Sequence, residues 1–282
     1  MERFFEYLDN EIFCHHTLDI NPDPARFYLH VHEHMELFYL ISGDGTYIVE
    51  GSQYVLKPHI ILITRSAEAH KLNLNPHVPY ERISIQFDAH VIHSIDPEEI
   101  LLQPFLNRPL GKNNCYPSTD SSEAAIKNLF QAFDRFGSSA RMRLHVLKVL
   151  FNALSYISDE FNSIDANSYS NASGIAYQLI EGINANLFEN ISLSTISKKF
   201  YLSESQINRI FKKATGSTVG EYIRIKRLLA AREKILAGES ASTASSSCGF
   251  SDYSTFYRAY KAHFGVSPSE TNTILPIAPF SL

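Results

Sequence analysis

The chain has 282 residues, 44% of them hydrophobic, which is enough apolar material for two ordinary cores and sets an expectation of two domains. The net charge is −5, but it is unevenly spread: residues 1–171 hold 13 Lys+Arg against 22 Asp+Glu, and the remainder 12 against 8. That excludes the acidic part as a nucleic-acid surface, and the three cysteines, Cys14, Cys115 and Cys248, with no CxxC pair, point away from a disulfide framework or a zinc ribbon. The elements begin with residues 1–10, which are acidic and aromatic without the charged-then-apolar layout of a signal peptide. No apolar run approaches a membrane span, so a cytoplasmic protein is expected.

From about residue 25 to 90 the chain alternates short β-type runs with turns: Leu37-Phe-Tyr-Leu-Ile41, Gly43-Asp-Gly45, Thr46-Tyr-Ile-Val49, Tyr54-Val-Leu56, Ile60-Ile-Leu-Ile63 and Arg82-Ile-Ser-Ile-Gln-Phe87. Short strands at this spacing predict a small antiparallel barrel or jelly roll. Residues 121–161 follow with two helical stripes, Ile126, Leu129, Phe130 and Phe133, then Leu144, Leu147, Phe151, Leu154 and Ile157, interrupted at Gly137-Ser-Ser139. Residues 162–173 are Ser/Asn-rich and aperiodic, a linker closing a first domain of residues 1–161.

Residues 174–282 contain one helical pattern twice. Ser192-Leu-Ser-Thr-Ile196 recurs 48 residues on as Ser240-Ala-Ser-Thr-Ala244, and the copies close on Gly216 and Gly265. Each copy, 192–216 and 240–265, reads as a short helix, a tight turn and a longer helix opened by a serine, Ser203 or Ser251, which is a helix-turn-helix layout. In the first copy Ile207, Ile210 and Phe211 face inward, leaving Ser205, Asn208, Arg209 and Lys212 outward. In the second, Phe256 and Tyr260 face inward, with Tyr253, Ser254, Tyr257, Arg258 and Lys261 outward. Residues 196–234 hold ten Lys/Arg against Glu204, Glu221 and Glu233. Asn and Arg are the side chains that pair bidentately with adenine and guanine edges, and the surplus Lys/Arg suits phosphates. Between the copies, residues 219–236 read as one long helix that would hold two reading heads apart.

The combination of Ser203-x-x-x-Ile207-x-x-x-Phe211-Lys-Lys-x-x-Gly216, Tyr222-Ile-Arg-x-x-Arg227-Leu-x-x-Ala-Arg232 and Gly249-Phe-Ser-Asp-x-Ser-x-Phe256 through Phe264-Gly-Val-Ser-Pro268-Ser-Glu270 resembles the DNA-binding domain of the AraC/XylS family of bacterial transcription regulators. That resemblance implies that the second helix of each unit enters the major groove, and it points to Ser205, Asn208 and Arg209, then Tyr253, Ser254, Tyr257 and Arg258. The chain departs from the pattern at Ala241 and Ala244, where bulky aliphatics are usual, in the polar run Ser245-Ser-Ser-Cys248, and at Thr271-Asn272. The run His30-x-His32-x-x-x-Glu36-x6-Gly43, with Pro58 and His70 beyond, resembles the first motif of the cupins, a common sensor fused to such readers. His59 stands where the second motif usually has glycine.

What the resemblances imply is an α+β protein of two domains: a cupin-like β-barrel with flanking helices that pair two subunits, and an all-α double helix-turn-helix reader. The expected function is a DNA-binding regulator, not an enzyme, that responds to a small, sugar-like molecule. The ligand pocket is expected from His30, His32, Glu36 and His70 with walls of Phe38, Tyr47 and Tyr80. His30 and His32, two apart on a strand, would point the same way, so these four residues also form a candidate metal set, although no cofactor is expected. The alternatives are a metal-dependent cupin enzyme and a constitutive DNA binder whose barrel only dimerises. The expected partners are double-stranded DNA, the effector, a second copy of the chain and, for an activator, RNA polymerase.

Overall fold

The structure, a computed structural model, describes residues 2–27, 29–118, 122–131, 141–163, 175–215 and 217–271. Its first part is built on two antiparallel sheets. Strands β1 (Glu2–Leu8), β2 (Ile12–Asp19), β3 (Met35–Ser42), β6 (Ile60–Thr64), β8 (Tyr80–Phe87) and β9 (Cys115–Pro117) form one sheet in the order β1-β2-β8-β3-β6-β9, and β4 (Gly45–Val49), β5 (Ser52–Val55) and β7 (His70–Leu74) form the other in the order β5-β4-β7. The five β-type runs named from sequence fall on strands, except that β5 ends at Val55, one residue short of Leu56. The sheet, however, starts some twenty residues earlier than expected, with a hairpin whose turn is closed by Asp9 Oδ1 accepting from Glu11 N and Ile12 N, each at 2.8 Å.

The two sheets do not share a ladder, so the expected barrel is a face-to-face pair. Phe38, Leu40 and Leu62 of one sheet meet Tyr47, Val49, Leu72 and Leu74 of the other between them. At one margin His30 and His70 exchange backbone hydrogen bonds at 3.0 Å, which draws the segment ahead of β3 onto β7. His30 and His32 therefore sit in irregular chain rather than on one strand, and it is this crossing, not strand alternation, that directs both rings inward.

The outer face of the six-stranded sheet, including Leu37, Tyr39, Ile61, Ile83 and Ile85, is covered by helices: α1 (Ala89–His93), α2 (Gln103–Leu106), α3 (Glu123–Gln131) and α4 (Met142–Ser163). On α3, Ile126 and Phe130 are buried, and Phe130 stacks on Tyr39 with ring centroids 4.0 Å apart. On α4 the buried stripe is Val146, Val149, Leu150, Ala153, Leu154 and Ile157, each worth up to roughly 1.5–3 kcal/mol of burial for the larger side chains. The stripe expected from sequence is thus rotated in its first half: Leu144 is 66% exposed and Leu147 and Phe151 are half-buried. A buried hub locks the loops on this side, where Glu68 accepts two bonds from Arg108 at 2.7 Å and one from Gly111 N at 2.8 Å. Burial alone would raise the Glu68 carboxyl, but Arg108 and these bonds hold it at about 2.

The second part is all helical: α5 (Ile175–Ala185), α6 (Leu193–Phe200), α7 (Glu204–Thr215), α8 (Val219–Leu236), α9 (Ala241–Ser247) and α10 (Tyr253–Phe264). Ile196, Ile207, Phe211, Tyr222 and Leu229 form one core, and Leu228, Ala231, Ile235, Ala244, Cys248, Phe256 and Tyr260 the other, with α8 contributing to both. Phe133, Gly137-Ser-Ser139, Gly216, Asn272 and nearly all of the expected linker lie outside the described residues; α4 runs on through Ser163.

The two parts touch. Val31 and Ala69 join the core of Leu179, Ile180, Ile183 and Ile223, and Glu50, in the turn between β4 and β5, reaches into the helical part. Glu50 Oε1 accepts from Lys226 Nζ at 2.6 Å and Ala69 N at 2.8 Å, while Oε2 accepts from Tyr222 OH and from Asn184 Nδ2 at 3.3 Å. Both Glu50 and Lys226 are buried.

Candidate nucleic-acid interface and interior pocket

The first helix-turn-helix is set by local chemistry. Ser192 Oγ accepts from Thr195 N at 3.1 Å to start α6, Tyr201 takes the left-handed conformation that ends it, and Ser203 and Gln206 bond each other's backbone N–H to start α7. This confirms the capping role read for Ser203. With Ile207 and Phe211 fully buried, Ser205, Arg209, Lys212 and Lys213 are exposed on the outer face of α7. Asn208 is different: half-buried, its Oδ1 accepts from Val219 N at 3.2 Å and so satisfies the first N–H of α8, beside the Thr218 cap. A bidentate contact to adenine needs that same oxygen, which leaves Arg209 as the better base reader of the pair.

In the second unit Ser240 Oγ accepts from Thr243 N at 3.1 Å. The cap of α10 is Asp252, whose Oδ1 accepts from Thr255 N at 2.7 Å, and not the expected Ser251; both types cap well, and the helix starts one residue later. Tyr253, Ser254, Tyr257, Arg258 and Lys261 are all exposed. The small residues Ala241 and Ala244 are accommodated, with Ala244 and Cys248 buried against Phe256 and Tyr260. Gly249 has φ +81, and a Cβ there would lie 2.6 Å from Phe188 O, so the turn admits no side chain.

Three members of the basic cluster do other work. Arg227 donates to Leu187 O at 2.8 Å, Gly249 O at 2.6 Å and Glu189 O at 2.6 Å, tying α8 to the turn of the second unit and to the loop before the first. Lys226 is committed to Glu50, and Arg232 lies 3.2 Å from Glu33 and over the Phe264 ring. These roles had no sequence signal beyond position in the motif. Of the other seven, Lys234 lies 3.4 Å from Glu239, Arg209 is the base-reading candidate, and Lys198, Lys199, Lys212, Lys213 and Arg224 are exposed and available to phosphates.

Between the sheets lies a pocket that opens to solvent. His30, Glu36, Phe38, Tyr47 and Tyr80 line it as expected, and so do His15, Arg82, Ser84 and Gln86, which sequence reasoning missed. His32 and His70 stand behind Glu36: their Nε2 atoms lie 3.1 and 3.2 Å from Glu36 Oε2, while their Nδ1 atoms face His34 O at 2.8 Å and Glu68 O at 2.7 Å. Ser84 Oγ donates to Glu36 Oε1 at 2.5 Å. Burial disfavours charge on Glu36, but the bonds from His32 and His70 hold its carboxyl well below the usual range; burial likewise works against charge on His70, yet Glu36 raises it.

One donor atom from each of His30, His32, Glu36 and His70 lies within 4.8 Å of the others. The set fits a divalent ion with nitrogen and oxygen preference, since Nδ1 contacts to carbonyls would leave the Nε2 atoms, which face Glu36, as the ligating ones. The same atoms also satisfy one another as imidazole–carboxylate pairs. Among the described residues no helix is long and apolar enough to cross a membrane.

A helix-turn-helix domain family matches residues 196–273. Over 246 residues the chain is 25% identical to the transcriptional activator RhaS of Mannheimia succiniciproducens, covering 86% of this chain and 87% of that one. Over 83 residues it is 37% identical to the probable transcription factor PqrA of Proteus vulgaris, covering 29% of this chain and 68% of PqrA. Among solved structures, ToxT of Vibrio cholerae aligns over 94% of this chain and 99% of its own at 16% identity, with a TM-score of 0.37.

Proposed function

Because this chain belongs to the AraC/XylS family of bacterial transcription regulators, we propose that it is a ligand-responsive activator that grips two successive major grooves and takes its signal from the pocket between the sheets. It is a DNA-binding regulator rather than an enzyme, as its named relatives are. The observation that carries the reading is the pair of capped helices, α7 and α10, each with a buried apolar face and an exposed face of hydroxyl, aromatic and basic side chains. Activation follows the names of the relatives, and RNA polymerase is then a partner.

The effector reading rests on the polar groups around Glu36 within a largely apolar pocket, which a small hydroxylated molecule would match. Glu50 is the route by which an occupied pocket reaches the reader: β4 carries Tyr47 in the pocket wall and ends beside Glu50, which holds α8 through Lys226 and Tyr222. Dimerisation is read onto α4, where Leu144, Leu147 and Phe151 share a face that the sheet does not fully cover. A second reading, a resident metal on His30, His32, Glu36 and His70, is favoured by the convergence of both Nε2 atoms on Glu36. The test is chromatin mapping of bound sites followed by binding to those fragments in vitro. Specific retention over random DNA supports the proposal, and equal retention of both overturns it. Elemental analysis of the purified protein decides the metal reading.

A further inference from the structure

The geometry points to an acidic effector: a small polyhydroxylated carboxylate whose carboxylate seats on Arg82 and whose hydroxyl end meets Glu36 and His30. This rests on the reading of the interior pocket as the effector site and narrows what that site takes.

Arg82 is 2% exposed and lines the pocket, and neither Nη1 nor Nη2 makes a hydrogen bond among the described residues. Its nearest carboxylate, Asp19, lies 3.8 Å from Nη1, near enough to offset charge but beyond hydrogen-bond reach. The guanidinium is held in place over the Tyr80 ring at 4.6 Å, with the Phe27 ring at 5.9 Å. A buried guanidinium with both terminal nitrogens unused is costly, and a carboxylate oxygen pair is the group its planar fork matches.

The neighbours fit the same ligand. Tyr80, Arg82, Ser84 and Gln86 alternate along β8 onto the inner face, with His15 opposite Ser84 on β2. Among the described residues, the Tyr80 hydroxyl, both ring nitrogens of His15 and Gln86 Oε1 are buried without a hydrogen-bond partner. Burial, with Arg82 second, holds His15 down at about 3, so at neutral pH it is uncharged and offers one N–H and one acceptor. Arg26 lines the pocket as a second cation. At the other end, Ser84 anchors Glu36, whose charge would repel a carboxylate and attract hydroxyls. The two ends are two residues apart on β8, about 7 Å, which is the length of a five- or six-carbon chain. A neutral sugar would satisfy the Glu36 end and leave the Arg82 fork without the planar pair of acceptor oxygens that it matches.

The experiment measures thermal shift and calorimetric binding of the full chain with gluconate, glucuronate and galacturonate, and with glucose, galactose and rhamnose, in the presence and absence of EDTA. At least one acid is expected to bind with and without EDTA while its neutral counterpart binds at least about tenfold more weakly. Arg82→Gln should remove that preference and Arg82→Lys should keep part of it. Where Arg82→Gln does not fold, Arg26→Gln and His15→Gln report instead, each weakening the acid more than the neutral sugar. Neutral sugars binding as tightly as acids would overturn the carboxylate assignment and leave the effector pocket standing. Binding of acids that EDTA abolishes would also overturn it, by moving the carboxylate to a metal on the His/Glu set. Binding of neither class would remove both this inference and the pocket reading on which it rests.

Discussion

Replacing Glu50 by Gln keeps the shape of the side chain but removes the charge that faces Lys226. In the native protein the Lys226 ammonium is 2.6 Å from Glu50 Oε1, the residue is 4% exposed, and the Tyr222 ring lies 5.2 Å away. Breaking such a pair from one side leaves a buried ammonium without its counter-charge, a loss of about 3–5 kcal/mol, or roughly two to four powers of ten in an equilibrium constant. Because Glu50 belongs to the sheet part and its partners Lys226, Tyr222 and Asn184 to the helical part, the loss should fall on their docking rather than on either core. The assay is calorimetric unfolding of the full chain carrying a protease site between Ser163 and Ile175, with co-elution of the two halves after cleavage. Glu50→Gln should separate the transitions and the fragments. Lys226→Met in the same chain should restore most of the docking, because the double mutant buries no unpaired charge. An unchanged transition and intact co-elution in Glu50→Gln would refute the reasoning, showing that Lys226 finds water or another partner without disturbing the interface.

Arg209→Ala should weaken binding to the specific site by about 1–3 kcal/mol while leaving random DNA nearly unaffected, whereas Lys212→Ala should weaken both; titrations at matched salt distinguish them. Gly249→Ala should destabilise the helical part by roughly 1–3 kcal/mol, read as a lowered unfolding midpoint, because the residue has φ +81 and its Cβ would meet Phe188 O. The sheet part should lose stability on acidification. Folded His15 resists protonation until about pH 3 whereas the unfolded chain takes the proton near 6.5, so the unfolded state binds more protons in that window and stability falls as pH drops through it, by up to ~1.4 kcal/mol per unit. Glu68, held at about 2, adds to the fall below 4.5. His15→Gln should flatten the pH 6.5–4.5 part of a urea-denaturation series.

The helical part was legible because its signals are local. Ser203 and Gln206 sit three apart at a helix start, apolar residues recur at helical spacing, and the serine pattern at 192 returns at 240, so both units stood out before any contact was known. Asp252 displaced Ser251 as a cap because adjacent residues with equal capping chemistry leave the start ambiguous by one position. The β2 strand was missed for a different reason. It is buried on both faces and carries His15, His16, Thr17 and Asp19, so it shows neither polar–apolar alternation nor a continuous apolar run. Asn208, Lys226 and Arg82 share one cause: each is of a type normally found in solvent, and only the packing of distant segments reveals that Val219, Glu50 and the pocket claim them. The α4 stripe was half right because Leu144, Leu147 and Phe151 repeat at helical spacing on a face adjacent to the one the sheet covers.

The most direct test of the double-reader account is hydroxyl-radical footprinting of the full chain on a site recovered by chromatin mapping. The account predicts, for each protomer, two protected stretches on one face of the duplex, centred about 10–10.5 base pairs apart, with Arg209→Ala erasing protection at one and Arg258→Ala at the other. A single protected stretch, or protection that both substitutions leave unchanged, would contradict it.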